Sequence, residues 1–538
     1  MSTARAAARW RHLGERGWTH DGRLGLRLIV TSCLTTIVVG LLGPSPVTLN
    51  VGPASSPLPP WFIPTEVGER LGLPLSEWVV VPALWVGLLV GAVGLLVCWR
   101  AIELGWRPSI HRLFGLGAAL TVGTALVPPL TSADVLMYAA YGRLQRQGLN
   151  PYQITPAEIF RQSYDPVLVW TERPWQDTPS VYGPIASATQ WLANLLGGDS
   201  MHAVVFWLQV MNTVPFLVIC AVMIKLAHGN AAVQTRSVLF TVLNPLLIWA
   251  VIAGAHNEAL TLVFAVIALW FVRRSAFVTG IFIGLGGAVK VSLVFYGLAL
   301  IWGYRHDWRK VVALCAGALL PIAILYGVFA PEALLAAGRN TGYMSGGSWA
   351  PWLYQVLAWI LVPGPAFSIT AAVAWVGLVV IAWMLSRVLP WHPAPGAIGP
   401  AERDPLTIAL RTAVILCTAW LVTSPYTLAW YDLIVWVPLA LMVPNRLDWL
   451  LVLRGTALSV AYVTGRTVGF SDEMLFLGAV VVRDTLCTAV QWFVLAAIIH
   501  WFWTRNRQWP SRAFVAGGVA DLLRGTARPP RVRAVRRP

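Results

Sequence analysis

Apolar residues in this chain neither alternate with polar ones, as in a half-buried strand, nor recur only at every third or fourth position, as on a surface helix. They come in long runs, near 26–43, 79–98, 113–130, 203–227, 237–255, 259–272, 311–330, 366–385, 406–423, 429–443, 449–464 and 484–503. A helix needs about 20 apolar residues to cross a bilayer core of about 30 Å. Each run is therefore predicted as a membrane-spanning helix. The stretch 276–304 is also apolar throughout, yet Arg273 and Arg274 flank one end and Arg305 and Lys310 the other. A single crossing would put one basic flank on the wrong side of the membrane. The pattern predicts two short arms meeting near the GLGGAVK stretch, 284–290, each about 13 residues and about 20 Å long. That brings the count to about 14 crossings, with both termini on one side. Stretches 183–197 and 351–363 read as interfacial or re-entrant helices.

Composition agrees. Of 538 residues 57% are hydrophobic and 12% charged, with a mean hydropathy of +0.67. Soluble domains carry about 25% charged residues, so lipid must solvate much of this surface. A transmembrane β-barrel would show short alternating segments instead. The fold class is all-α and polytopic. The net charge of +16 sits between the apolar runs and in the tail, which argues topology and not nucleic acid. The positive-inside rule places 1–27 in the cytoplasm, as a retained segment, and 131–202 outside as a large extracytoplasmic loop. The region 28–503 forms the membrane domain, and 390–404, rich in Pro, Gly and Ala, reads as a flexible cytoplasmic linker. The tail 504–538 carries nine Arg and one acid, and is expected to be disordered and to lie on anionic lipid headgroups. The six cysteines are scattered singly, without metal-ligand or disulfide spacing.

The unusual polar residues fall on the outside face. In TSADVLMYAAYGRLQRQGLNPY, 131–152, a helix over 133–147 puts Asp134, Tyr138, Tyr141 and Gln145 on one face, ended by Gly148 and a turn at Asn150-Pro151-Tyr152. It reads as a polar helix on the membrane surface. Asp134 is either its cap or a functional carboxylate. GAHNEAL sets His256, Asn257 and Glu258 in one tight turn between apolar runs: a hydrated loop, an ion pair of Glu258 with Lys290, or a pocket. Lys290, the sole charge between Arg274 and Arg305, follows several glycines; it either snorkels or meets a phosphate. Tyr182-Gly183-Pro184, the loop 338–352 and SPYTLAWYD, 424–432, bring further aromatics to this side, which mark an interface or stack on sugars. Arg466 and Arg483 are weaker phosphate candidates.

Taken in order, DVLMYAAYG with GLNPY, YGP, AHNEAL, the lysine of GGAVK and SPYTLAWY resemble the pattern of actinobacterial polyprenol-phosphomannose-dependent α-1,6-mannosyltransferases, which have the GT-C architecture. The resemblance runs from about the third apolar segment to SPYTLAWY; past residue 440 no motif matches. It implies extracytoplasmic juxtamembrane helices in a plasma-membrane enzyme. It further implies a polyprenyl-phosphate β-mannose donor, a lipid-anchored mannan acceptor with a reacting 6-hydroxyl, and Asp134 as catalytic base. A β-donor giving an α-product inverts in one displacement. One carboxylate then takes the acceptor proton, and a cation stabilises the departing phosphate. Lys290 is the first candidate for that cation and His256 the second. Tyr138, Tyr141, Asn150, Tyr152, Tyr182, Asn257, Glu258 and Tyr431 are expected to bind substrate, and the prenyl tail to lie in a groove between helices. No acid cluster demands a metal, and no cofactor is expected. The rival readings are a lipid-sugar flippase or transporter, and a GT-C transferase for arabinose or glucose.

Overall fold

The computed structural model describes residues 22–53, 71–73, 75–173, 175–336, 343–466 and 468–505. Most of the N-terminal segment and nearly all of the Arg-rich tail lie outside the described residues. Within them the chain is all-α, with one isolated bridge, Thr48 to Leu130. Seven helices are long and apolar enough to span a bilayer: Gly22–Leu42 (α1), Glu77–Glu103 (α2), Met201–Leu226, Trp308–Phe329, Pro363–Val388, Pro405–Thr423 and Asp472–Thr504. An eighth results if Pro245–Ala253 and Glu258–Phe271, bent by 118°, make one broken span. Ala276–Gly287, Val291–Gly303 and Ala429–Ala440 are shorter apolar helices.

These helices confirm a polytopic membrane protein, but full-length spans do not reach the expected count of about 14. Proline and asparagine account for two of the runs that fall short. The run 113–130 stops as helix Ile110–Ala125 before Pro128 and Pro129, which cannot donate to a helix. The run 237–255 is split where Asn244 caps a new start at Pro245.

The stretch 276–304 does form two arms, with its break at 288–290. Tyr304 Oη donates to the Val272 carbonyl at 2.6 Å, so both basic flanks lie at one end of the bundle. The arms rest on different neighbours. Ala276–Gly287 packs on Trp308–Ile324 and Val294–Gly303 on Pro405–Thr423. The first contact is backbone to backbone: a Cβ at Gly280 would lie 2.1 Å from the Leu314 carbonyl, so only glycine fits.

Two expectations are corrected. The stretch 390–404 is pinned: Arg273 makes two 2.8 Å bonds to Asp404 and a third to the Pro395 carbonyl. The helix Asp134–Arg146 does not lie open on a surface. Val135, Leu136, Ala139 and Leu144 are fully buried in protein. Gly142 permits this, since a Cβ there would lie 2.1 Å from the Gln190 carbonyl on helix Pro184–Gly197.

Candidate active site

The loop that delivers Asp134 is held from two sides. Leu49 N–H donates to the Pro129 carbonyl at 2.9 Å, and Leu130 N–H to the Ala253 carbonyl at 2.7 Å. The next residue, Thr131, is buried with φ +78°, a left-handed conformation that costs a β-branched residue about 1–3 kcal/mol. Asp134 then opens its helix. The cap position belongs to Ala133, which makes no side-chain cap bond, so the capping role for Asp134 is ruled out. The Asp134 side chain is one-fifth exposed, at 20%, which leaves it open to a small ligand. Burial pushes its carboxyl from 3.8 up to about 6; Ser132 and Lys290 pull it down and Glu258 pushes it up.

The second wall is the GAHNEAL turn. A stretch of wide π-helix, Ile248–Ala253, precedes it, and Ala255 has φ +53°. Asn212 Nδ2 donates to the Ala255 carbonyl at 3.0 Å and fixes the turn. His256 is wholly buried. Its ring stacks on Trp430 at 3.5 Å and 12°, and its Nδ1 lies 3.5 Å from Asp134 Oδ2. That is an electrostatic approach, too long for a good hydrogen bond. Both ring nitrogens of His256, both amide atoms of Asn257 and Oε2 of Glu258 are buried without a hydrogen-bond partner. Such groups normally find partners in protein or water, so five polar atoms of this turn remain free to meet water or a ligand.

The third wall is the tip at Lys290. Gly183 N–H donates to the Val289 carbonyl at 3.1 Å and Ile185 N–H to that of Ala288 at 3.0 Å, so the YGP segment lies along the tip. A Cβ at Gly183 would meet the Ala288 carbonyl at 2.3 Å. Lys290 Nζ pairs with Glu258 Oε1 and sits 4.7 Å from the centroid of the Tyr431 ring. The ion pair weighed from the sequence is thus present, and both of its members lie within electrostatic reach of Asp134.

The tyrosines divide into two groups. Tyr138, Tyr141, Tyr182 and Tyr431 all lie within electrostatic reach of Asp134. The Tyr138 and Tyr182 rings meet edge-on at 5.1 Å, and burial pushes both hydroxyls well above their ordinary range, so they remain neutral donors. Asn150 and Tyr152 are otherwise engaged. Asn150 Oδ1 accepts from Tyr152 N–H at 2.9 Å in a local turn. Tyr152 Oη bonds the Tyr182 carbonyl and Ser187, each at 3.0 Å. These two brace the YGP segment. Arg466 is also taken up, with Glu172 at 3.0 Å and the Thr48 carbonyl at 2.9 Å, and Arg483 pairs with Asp484 at 3.0 Å.

Sequence reasoning missed three parts of the site. Trp430, under His256, lay within SPYTLAWYD, whose aromatics were read as marking an interface or stacking on sugars, not as a support for His256. Ser132 Oγ, which accepts from Asp134 N–H at 3.2 Å, sat two residues before the carboxylate. Arg454, wholly buried and paired with Asp432, holds the SPYTLAWYD loop in place. No group of three or more His, Cys, Asp or Glu gathers as a metal-ligand set among the described residues.

Residues 39–304 match the family model described as alpha-(1->6)-mannopyranosyltransferase, N-terminal domain. Similar proteins include the alpha-(1->6)-mannopyranosyltransferase B of Corynebacterium glutamicum, 27% identical over 40% of this chain and 38% of that protein. The alpha-(1->6)-mannopyranosyltransferase A of Mycobacterium tuberculosis is 26% identical over 54% of this chain and 56% of that protein. A probable alpha-(1->6)-mannopyranosyltransferase of Mycolicibacterium smegmatis is 32% identical over 26% of this chain and 25% of that protein. The chain thus aligns with at most 56% of the length of these relatives. No solved structure matches.

Proposed function

We propose, from the premise that this chain is a relative of the actinobacterial alpha-(1->6)-mannopyranosyltransferases, that it is an inverting mannosyltransferase of the plasma membrane. It moves mannose from polyprenyl-phosphate β-mannose to the 6-hydroxyl of a lipid-anchored mannan, on the extracytoplasmic face. The observation that carries the reading is the meeting of Asp134, His256, Glu258 and Lys290 in one cluster, in which both His256 ring nitrogens and Glu258 Oε2 make no hydrogen bond to protein.

The chemistry follows from this arrangement. The acceptor O6 attacks the anomeric carbon as its proton passes to the Asp134 carboxylate. The bond from that carbon to the phosphate oxygen breaks, and polyprenyl phosphate leaves with the electron pair. The raised Asp134 carboxyl, at about 6, is ionised at neutral pH yet a stronger base than an exposed aspartate. Lys290 meets the charge growing on the phosphate, and Glu258 keeps it aimed before donor arrives. His256 faces the base, so we assign it to Asp134 and not to the phosphate. Tyr138, Tyr141, Tyr182, Tyr431 and Asn257 offer hydroxyls and an amide to sugar oxygens.

The test is transfer in membranes from a labelled panel of polyprenyl-phosphate sugars, with linkage and anomer analysis of the product. The expected result is mannose alone, in α-1,6 linkage. Transfer of arabinose or glucose instead would move the chain to another sugar, and lipid-sugar movement without any transfer would make it a flippase.

A further inference from the structure

A file of aromatic rings leaves the site toward the outside loops. It begins at Tyr431, whose ring is held between Trp420, stacked at 5.8 Å, and Lys290. From there Tyr426 lies at 6.3 Å, Tyr343 at 6.1 Å beyond it, and Trp175 at 5.5 Å beyond that. The four residues come from three separate stretches of chain. None is buried, and Tyr343 is 40% exposed. The aromatics around Asp134 that the core absorbs behave differently: Tyr138, Tyr141 and Trp430 are all at most 4% exposed.

The contacts outward from Tyr431 are edge-on or tilted: 61°, 48° and 86°. Edge-on packing holds the rings in place yet leaves faces without a stacking partner. Tyr426 lies within electrostatic reach of both Asp134 and Tyr343, and Tyr141 likewise reaches both, so the file opens directly onto the carboxylate. A row of neutral rings tipped by hydroxyls and, at Trp175, an indole N–H suits one ligand chemistry well. Pyranose units present a C–H face to a ring and hydroxyls at their edge, and each ring-to-ring step is about the size of one unit.

We infer that Tyr426, Tyr343 and Trp175 seat the sugars that precede the reacting one. The acceptor is then a neutral oligosaccharide of several units, drawn from the water side, and the protein extends chains in preference to starting them. This rests on the mannosyltransferase reading.

The test reads binding without donor, so it stands apart from transfer. Purified full-length protein in detergent is titrated with the methyl glycosides of mannose, α-1,6-mannobiose and α-1,6-mannotetraose, followed by saturation-transfer NMR. Wild type should bind the tetraose about tenfold more tightly than the monosaccharide. Tyr343→Ala should remove most of that gain, with less than about a twofold loss for the monosaccharide, and Tyr343→Phe should keep it. Trp359→Ala, at an exposed aromatic off the file, should leave the length dependence as in wild type. Equal affinity for all three lengths in wild type overturns the inference, and so does a Tyr343→Ala loss that is the same at every length. Length-dependent binding without mannosyl transfer would instead overturn the enzymatic reading and leave this seat standing.

Discussion

Two of the places where this molecule buries opposite charges side by side are finished differently. Near one end of the bundle Arg236 grips Asp448 through two 3.0 Å bonds. Trp99 Nε1 and the Asn445 N–H also donate to that carboxylate, and the Leu439 carbonyl accepts from the guanidinium. Both residues are 1% exposed, and only Arg236 Nε is left over. Trp99 stands near the far end of the 27-residue α2, whose near end binds Ser471 through Glu77. At the Asp134 cluster, by contrast, Lys290 and Asp134 are each 20% exposed, and His256, Asn257 and Glu258 leave five buried polar atoms without protein partners. A closed charge pair locks helices together, whereas an open one leaves charged and polar atoms free to meet a further group.

The comparison can be broken at its closed half first. Asp448→Leu leaves Arg236 buried without a counter-charge, which should cost about 3–5 kcal/mol, read as a lower melting temperature and lost protein in detergent. The pair Arg236→Met with Asp448→Leu should recover most of it and restore transfer. A double variant as unstable as the single one would show that this pair is more than a lock.

At the open half, Lys290→Ala should raise the KM for donor by about 10- to 100-fold and change acceptor KM far less. Initial rates against each substrate decide it, and the reverse ranking removes Lys290 from the phosphate. The pH profile is the gentler probe. With its carboxyl raised to about 6, Asp134 acts as base only when ionised, so kcat/KM should be full above about pH 7 and half-lost near 6. Stability runs the other way. A raised carboxyl contributes stability below its unfolded value of 3.8, and that contribution fades as pH rises through about 6. Asp134→Asn should therefore be no less stable than wild type at pH 7, which a thermal melt can check.

What the sequence made legible follows the same division. Spanning runs were readable because lipid demands them, and the two arms of 276–304 because basic flanks cannot lie on opposite sides. The pairing of Glu258 with Lys290 was already one of the alternatives. The aim of His256 at Asp134 was not legible. It depends on Ala255 adopting φ +53° and on Trp430 arriving from a distant segment to stack beneath the ring. Nor was the burial of helix Asp134–Arg146, which depends on Gly142 meeting the Gln190 carbonyl of a separate helix.

The most direct test of the Asp134 cluster as the site of mannosyl transfer is the single-turnover rate of Asp134→Asn, against wild type, in membranes holding equal amounts of each. Loss of the base should slow α-1,6 transfer from polyprenyl-phosphate-mannose by about 10²- to 10⁴-fold, with the protein inserted and folded. A rate within a few-fold of wild type would contradict the account.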